Sequence, residues 1–97
     1  MGEYYMPQIL KIGPYVVYFW SNEGAPLEPV HIHITEGQAT AFATKLWVTS
    51  TGKIIVANNN SKIPEAILRR MIRILEGNSD YIIERWLTQF GEIRYYC

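Results

Sequence analysis

The residues best suited to chemistry in this sequence are two histidines, His31 and His33, which are separated by one residue. They lie in segment 30–35, where apolar and polar residues alternate strictly, as they do in a half-buried β-strand. Because successive side chains of a strand point to opposite faces, both imidazoles are predicted to share one face. That face is the first candidate for a catalytic or binding surface.

Two kinds of chemistry suit such a pair. A divalent metal would need a third ligand, typically a carboxylate, and the nearest acidic residues are Glu23, Glu28 and Glu36. Without a metal, one neutral and one protonated imidazole would act as base and acid, as phosphodiester cleavage requires. Tyr18 or a nearby arginine would then stabilise the developing charge. The remaining interpretation is that the two histidines are inert cross-strand neighbours.

Three arginines form a second candidate site, for phosphate, on a predicted helix: Arg69, Arg70 and Arg73. Glu65 and Glu76 lie four and three residues from members of this cluster, a mixed pattern that is typical of solvated helix surface. Nine basic residues balance nine acidic ones in the whole chain. The net charge therefore does not indicate nucleic-acid or membrane binding, and either would need a local patch.

The elements that must position these residues change character along the chain, from period-two alternation to helical spacing. Strands are predicted at 15–20, 30–35, 38–48 and 54–57. One helix is predicted from Pro64 to Glu76, followed by Gly77 as the first residue beyond the helix. A second helix is predicted to be capped by Ser79 or Asp80 and to end near Gly91. The expected fold is α+β, with a roughly four-stranded antiparallel sheet followed by two C-terminal helices packed on one face.

A single domain is predicted over residues 1–97, with 1–6 as a flexible end and 92–97 as either an edge strand or a frayed tail. The lone cysteine, Cys97, favours a reducing compartment. The longest apolar run, 15–20, is far shorter than the ~20 residues that span a bilayer. We therefore expect a soluble cytoplasmic protein without membrane contact.

Four stretches carry a resemblance to a known family: Met-Pro-Gln-Ile at 6–9, Ile-Gly-Pro-Tyr at 12–15, Phe-Trp-Ser-Asn-Glu-Gly at 19–24, and Glu-Pro-Val-His-Ile-His-Ile at 28–34. The sequence resembles the small bacterial proteins of the domain of unknown function 4160 family over roughly residues 6–90. The family's hallmark is Ser-Asn-Glu-Gly followed by Pro-Pro-His-x-His. The sequence departs from it with Val30 in place of a second proline and with an extended hairpin at 47–57.

The residues that match the family's motif are Ser21, Asn22, Glu23, Pro29, His31 and His33, and the resemblance implies that the site lies among them. Similar proteins are often encoded beside another small protein, which implies a small partner protein and a toxin–antitoxin-like two-gene pair in the bacterial cytoplasm. The alternative is an independent enzyme, either a metal-dependent hydrolase or oxygenase in which Glu23 completes the site, or an RNA-cleaving enzyme that needs no metal. A homo-oligomer without catalysis is the third expectation.

Overall fold

The computed structural model describes residues 8–20, 27–38 and 42–97. In that part of the chain the elements are β1 (Gln8–Ile12), β2 (Tyr15–Tyr18), β3 (His31–Glu36), β4 (Thr44–Val48), β5 (Ile54–Asn58), α1 (Glu65–Gly77) and α2 (Ser79–Phe90). The strands are hydrogen-bonded in sequence order and every pair is antiparallel. The predicted α+β class is confirmed, and the sheet has five strands where four were expected.

The additional strand is β1, and an irregularity hides it in the sequence. The pairing with β2 shifts register between Gln8 and Leu10, so Ile9 lies at a bulge. Ile9 is buried, and its neighbour Leu10 also packs against the core. Two consecutive core residues break the alternation by which a strand is recognised. A two-residue turn then joins β1 to β2, and its Gly13 adopts the positive φ of 57° that such turns require.

Several strand and helix boundaries differ from the predicted ones. β2 ends at Tyr18 instead of residue 20, β3 lies one residue later than expected, and β5 ends one residue later. The strand expected from residue 38 begins only at Thr44, and residues 39–41 lie outside the described part of the chain. Helix α1 extends through Gly77, which therefore is not the left-handed residue beyond the helix. Asn78 ends α1 instead, because its backbone N–H bonds to the Leu75 carbonyl and its side chain donates to Ile74 O at 2.8 Å.

The two helix starts also shift by a residue, whereas the end of α2 is as expected. Pro64 is the residue that precedes α1 rather than its first helical residue, and Asn78 rather than Ser79 or Asp80 caps α2. Gly91 ends α2 with φ 76°, and its N–H donates to the Leu87 carbonyl at 2.8 Å. The left-handed conformation at Gly91 is the one that glycine adopts at lowest cost.

A single apolar cluster joins the sheet to both helices. Its largest fully buried members include Trp86, Phe19, Ile32, Ile34, Leu46, Met71, Leu75 and Ile82. Helix α2 reaches from the β4–β5 turn, where Ser79 lies beside Gly52, to the start of β1, where Arg85 donates to Gln8 O at 3.3 Å. Among the described residues, no helix has the length and apolar character needed to cross a membrane.

A small polar network fastens the connection between sheet and helices. The Thr44 hydroxyl donates to Asn59 Oδ1 at 2.6 Å and lies 2.6 Å from the Ser61 hydroxyl. Asn59 also accepts from the Ile63 N–H at 3.1 Å and donates to the Ile63 carbonyl at 2.9 Å. These bonds hold the turn after β5 against β4 and so fix where α1 begins.

The C-terminal segment 92–97 has no helix or strand, yet it packs on the sheet. The Arg94 carbonyl accepts from the Val30 N–H at 2.8 Å, and the Cys97 carbonyl accepts from the Ser50 N–H at 3.0 Å. The Tyr96 ring stacks on Trp47, with centroids 4.9 Å apart and planes 4° from parallel. The segment therefore lies beside the start of β3 and the end of β4.

Candidate functional site

Strand pairing assembles the surface that carries the two histidines. His33 of β3 lies directly opposite Tyr18 of β2 and Lys45 of β4, and His31 lies opposite Trp47. Directly paired residues share a face of the sheet, so these five side chains form one surface, here called the His face. The two imidazole rings meet edge to face, with centroids 5.0 Å apart.

His31 is the buried member of the pair, with 1% of its surface exposed. Its ring contacts Trp47 and Trp86 edge to face, at centroid distances of 5.7 and 5.4 Å. Nδ1 lies 2.9 Å from the Pro29 carbonyl oxygen, which fits an N–H donor at that nitrogen. In the neutral ring this hydrogen bond favours the tautomer whose Nε2 is an acceptor. His31 is therefore held in one orientation by its surroundings.

His33 is only partly buried, so it is the imidazole that solvent or a ligand can reach. Its ring stacks on Tyr18, with centroids 5.5 Å apart and planes 28° from parallel. Tyr18 itself is fully buried and also contacts Trp20 edge to face at 5.5 Å. The predicted role of Tyr18 in stabilising charge remains a prediction, whereas its ring clearly supports His33.

A charged pair lies beside the imidazoles. Lys45 Nζ donates to Glu28 Oε1 at 2.8 Å and lies 4.4 Å from the centroid of the Trp47 ring. The hydrogen bond from Lys45 holds the pKa of Glu28 below its ordinary value; partial burial opposes this shift, and the positive charges of Lys45 and of protonated His31 and His33 add to it. Glu28 therefore carries a carboxylate next to the His face.

Of the acidic residues considered as third metal ligands, the structure places only some near the two imidazoles. Glu28 lies at the His face, whereas Glu36 follows Ile32 and Ile34 at a spacing of two and so belongs to the other face. Ser21, Asn22 and Glu23 lie outside the described residues, and their predicted roles remain predictions. Among the residues that are described, no three His, Cys, Asp or Glu side chains form a group that could hold a metal ion.

The three arginines do not join the His face. Arg69 pairs with Glu65 at 2.8 Å on the exposed surface of α1. Arg70 lines a groove with Ile12 and Tyr15, whose side chains alternate with that of Tyr18 and so point to the opposite face of the sheet. The cation next to the imidazoles is Lys45 instead of an arginine.

Sequence reasoning missed Lys45 and Trp47 as site residues. They alternate with the buried residues Leu46 and Val48, a signal that predicts their shared face. The alternation does not give the register, so it could not show that Lys45 lies opposite His33.

The chain matches one family model in the comparison with known proteins. Neither a curated protein nor a solved structure matches the chain. The model of the family described as "Domain of unknown function (DUF4160)" matches residues 15–87, which include strands β2–β5, helix α1 and the whole His face. The match covers well over half of the 97 residues, and the chain therefore belongs to the DUF4160 family.

Proposed function

We propose that the chain is one component of a toxin–antitoxin-like two-gene pair in the bacterial cytoplasm, and that it acts through its His face. Membership of the family supports the partner protein, since the resemblance to that family implies a neighbouring small protein. The His face supports an activity, because it gathers two imidazoles and an ammonium group, with the Glu28 carboxylate beside them. Such convergence of titratable groups is more frequent at functional sites than elsewhere.

The chemistry that this surface supports best is acid–base cleavage of an RNA phosphodiester. The observation that carries the proposal is the position of His33, which is partly exposed, supported by the Tyr18 and His31 rings, and directly opposite Lys45. An accessible imidazole suits a general base, and a neighbouring ammonium suits the stabilisation of developing negative charge. His31 is too buried to touch a substrate, so we assign it as the residue that positions His33.

In the proposed step, His33 accepts the proton of a ribose 2′-hydroxyl while the 2′-oxygen attacks the adjacent phosphorus. The bond from phosphorus to the 5′-oxygen breaks, and Lys45 gives a proton to that leaving oxygen. The products are a 2′,3′-cyclic phosphate and a free 5′-hydroxyl. Solvent then returns a proton to Lys45 and removes one from His33. The hydrogen bond to Glu28 holds the Lys45 ammonium group beside the imidazoles.

A metal-dependent hydrolase or oxygenase is the rival proposal. It requires Glu23, or another residue outside the described part of the chain, as third ligand to the two imidazoles. A chelator separates the two proposals, since acid–base cleavage persists in excess EDTA and metal-dependent activity does not.

The first test is growth of a bacterial host on induction of the wild type or of the His31→Ala, His33→Ala double variant, at matched soluble expression. Glu36→Gln, at the end of the same strand on the other face, is the control. We expect arrest with the wild type and the control, and growth with the double variant. Absence of arrest in all three would remove the toxic activity and leave an antitoxin-side or partner-binding role.

The second test is cleavage of a short RNA by the purified protein. Replacing one ribose by deoxyribose should abolish cleavage at that position only, because the step needs the 2′-hydroxyl. Lys45→Ala should lower the cleavage rate by about a hundredfold or more, within the range of general acid–base effects. Cleavage at the deoxyribose position, or a rate unchanged in His33→Ala, would contradict the proposed step.

A further inference from the structure

A groove lies between the β1–β2 turn and helix α1. Its volume is about 380 Å³, and its lining consists of the turn residues 12–15 with Ile67, Arg70 and Met71. Arg70 is the one charged residue among them. The groove thus combines an apolar floor with a cation, in a volume at the lower end of the usual range for ligand pockets, about 300 to 1,000 Å³.

The surface of α1 next to the groove also carries basic residues. Arg69 is neutralised by Glu65 at 2.8 Å, but in the described residues no carboxylate lies within ion-pair distance of Arg70 or Arg73. Ile74 follows Arg70 by one helical turn and is 38% exposed. The surface next to the groove is therefore basic and partly apolar.

We propose that this groove docks a short segment of a partner protein, in which a large apolar side chain enters the groove and a carboxylate pairs with Arg70 or Arg73. Charge complementarity carries the argument. Arg70 lines the groove and Arg73 follows it by three residues on the same helix, and among the described residues neither guanidinium group has an ion-pair partner. A basic surface beside an apolar groove favours an anionic, apolar occupant. Apolar anchors beside arginines are frequent at protein interfaces. A small-molecule site would offer several convergent polar side chains, and here only Arg70 is charged.

The inference rests on the proposed function only in that a partner protein exists; it needs nothing of the chemistry at the His face. Ile12 and Tyr15 of the groove point to the face opposite Tyr18 and His33. A segment bound in the groove would leave the His face open. Partner binding and RNA cleavage are therefore expected to be separable by mutation.

The test begins with selection of random displayed peptides on the purified wild-type chain. The strongest binder is then synthesised, and its affinity is measured by fluorescence anisotropy for the wild type, Arg70→Glu and Arg69→Glu. Arg69→Glu is the matched control, because it makes the same charge change on the same helix outside the groove. Circular dichroism checks that both variants keep their helix content.

We expect enriched peptides in which a large apolar residue lies close to Asp or Glu. Arg70→Glu should weaken binding at least about tenfold, as loss of a charge-assisted contact does, whereas Arg69→Glu should change it about twofold or less. Enriched peptides without acidic residues, or equal affinity for all three proteins, would overturn the proposal. So would a wild-type dimer that Arg70→Glu dissociates, since the occupant would then be a second copy.

These outcomes are independent of the tests of the His face. If no peptide binds at the groove, the docking site is wrong, but the results of the growth and RNA-cleavage assays still decide the activity of the His face. Conversely, if the wild type neither arrests growth nor cleaves RNA but still binds the peptide at the groove, the proposed chemistry is wrong and the docking site stands.

Discussion

His31 and His33 differ in burial, although they share one strand face. His31 is enclosed by Trp47 and Trp86 and bonded to the Pro29 carbonyl, whereas His33 remains partly open to solvent. Enclosure fixes the orientation of a ring, and exposure lets a ring exchange protons with a substrate. The difference is set by the neighbouring strands and by α2, not by the spacing of the two residues.

The Glu28–Lys45 pair should make stability depend on pH. Because the folded-state pKa of Glu28 is lowered, its contribution is present above the ordinary value of 4.5 and is lost as the pH falls below it. The Glu28 side chain is 48% exposed, so we expect Glu28→Gln to lower the free energy of unfolding by only about 0–1 kcal/mol at pH 7.

Urea denaturation of wild type and Glu28→Gln at pH 7 and at pH 3 measures this difference. The difference between the two proteins should be smaller at pH 3 than at pH 7, because the carboxylate is lost progressively as the pH falls below 4.5. A difference that is as large at pH 3 as at pH 7 would mean that the lost contact is not electrostatic.

Trp86 has a buried indole N–H that lacks a hydrogen-bond partner, the one such side-chain atom within the described residues. A buried unpaired donor costs about 1–3 kcal/mol. Trp86→Phe removes this donor and keeps an aromatic ring beside Phe19 and Phe90, whose centroids lie 5.4 and 4.4 Å from that of Trp86.

We expect Trp86→Phe to cost at most about 2 kcal/mol of unfolding free energy, since relief of the donor offsets part of the lost packing. Trp86→Ala should cost about 3–5 kcal/mol. Thermal and urea unfolding of both variants provide the comparison. Equal losses in the two variants would show that the indole N–H carries no penalty.

At the scale of elements, the sequence predicted four of the five strands, either from alternation or from an aromatic and β-branched composition, and missed β1. β3 alternates strictly and was correctly predicted, but the bulge at Ile9 concealed β1. The C-terminal end of α1 moved by one residue because Asn78, rather than Gly77, satisfies the last carbonyls of the helix. Local propensity does not tell which of two adjacent residues will cap a helix.

The residues of the candidate site also differ in how far the sequence predicts their positions. The shared face of His31 and His33 could be read from their spacing alone. The positions of Lys45 and Glu28 depend on strand register and on the path of the loop before β3, which are tertiary properties. Residues of one strand are therefore predictable as a group, whereas groups from two strands are not.

The polar network around Asn59 is expected to stabilise the connection between β5 and α1. Asn59 makes three hydrogen bonds to Thr44 and Ile63, and its loss would remove the side-chain partner of the Ile63 N–H and carbonyl, whereas the Thr44 hydroxyl would keep its contact with Ser61. We expect Asn59→Ala to destabilise the protein by about 2–3 kcal/mol. Asn60→Ala is the neighbouring control, since Asn60 is exposed, and it should stay within about 0.5 kcal/mol of the wild type.

Differential scanning calorimetry of both asparagine variants measures the difference. If Asn59→Ala unfolds at the wild-type temperature, the network does not anchor the start of α1.

At the scale of the whole molecule, the open meander leaves β1 and β5 as the sheet edges. Glu76 Oε2 accepts from the Ile54 N–H at 3.0 Å and so protects one end of β5. Ile55 and Val56 farther along the strand are each 38% exposed. An apolar edge strand in a protein without net charge favours association between copies.

We expect wild-type protein to associate increasingly with concentration at neutral pH and low salt, and Val56→Lys to reduce this, because a charge on the edge opposes strand pairing. Leu87→Lys is the control, since it adds the same charge at a similarly exposed site on α2. Sedimentation velocity across a concentration series measures both. Equal reduction by the two variants would assign the effect to net charge alone.

The stack of Tyr96 on Trp47 has an optical consequence. Nearly parallel rings 4.9 Å apart couple their electronic transitions, which gives a near-ultraviolet circular dichroism band that depends on the contact. Trp47 also touches His31, so this band reports on the surroundings of the buried imidazole without any added label. Loss of the band with secondary structure intact would mark departure of the C-terminal segment from the sheet.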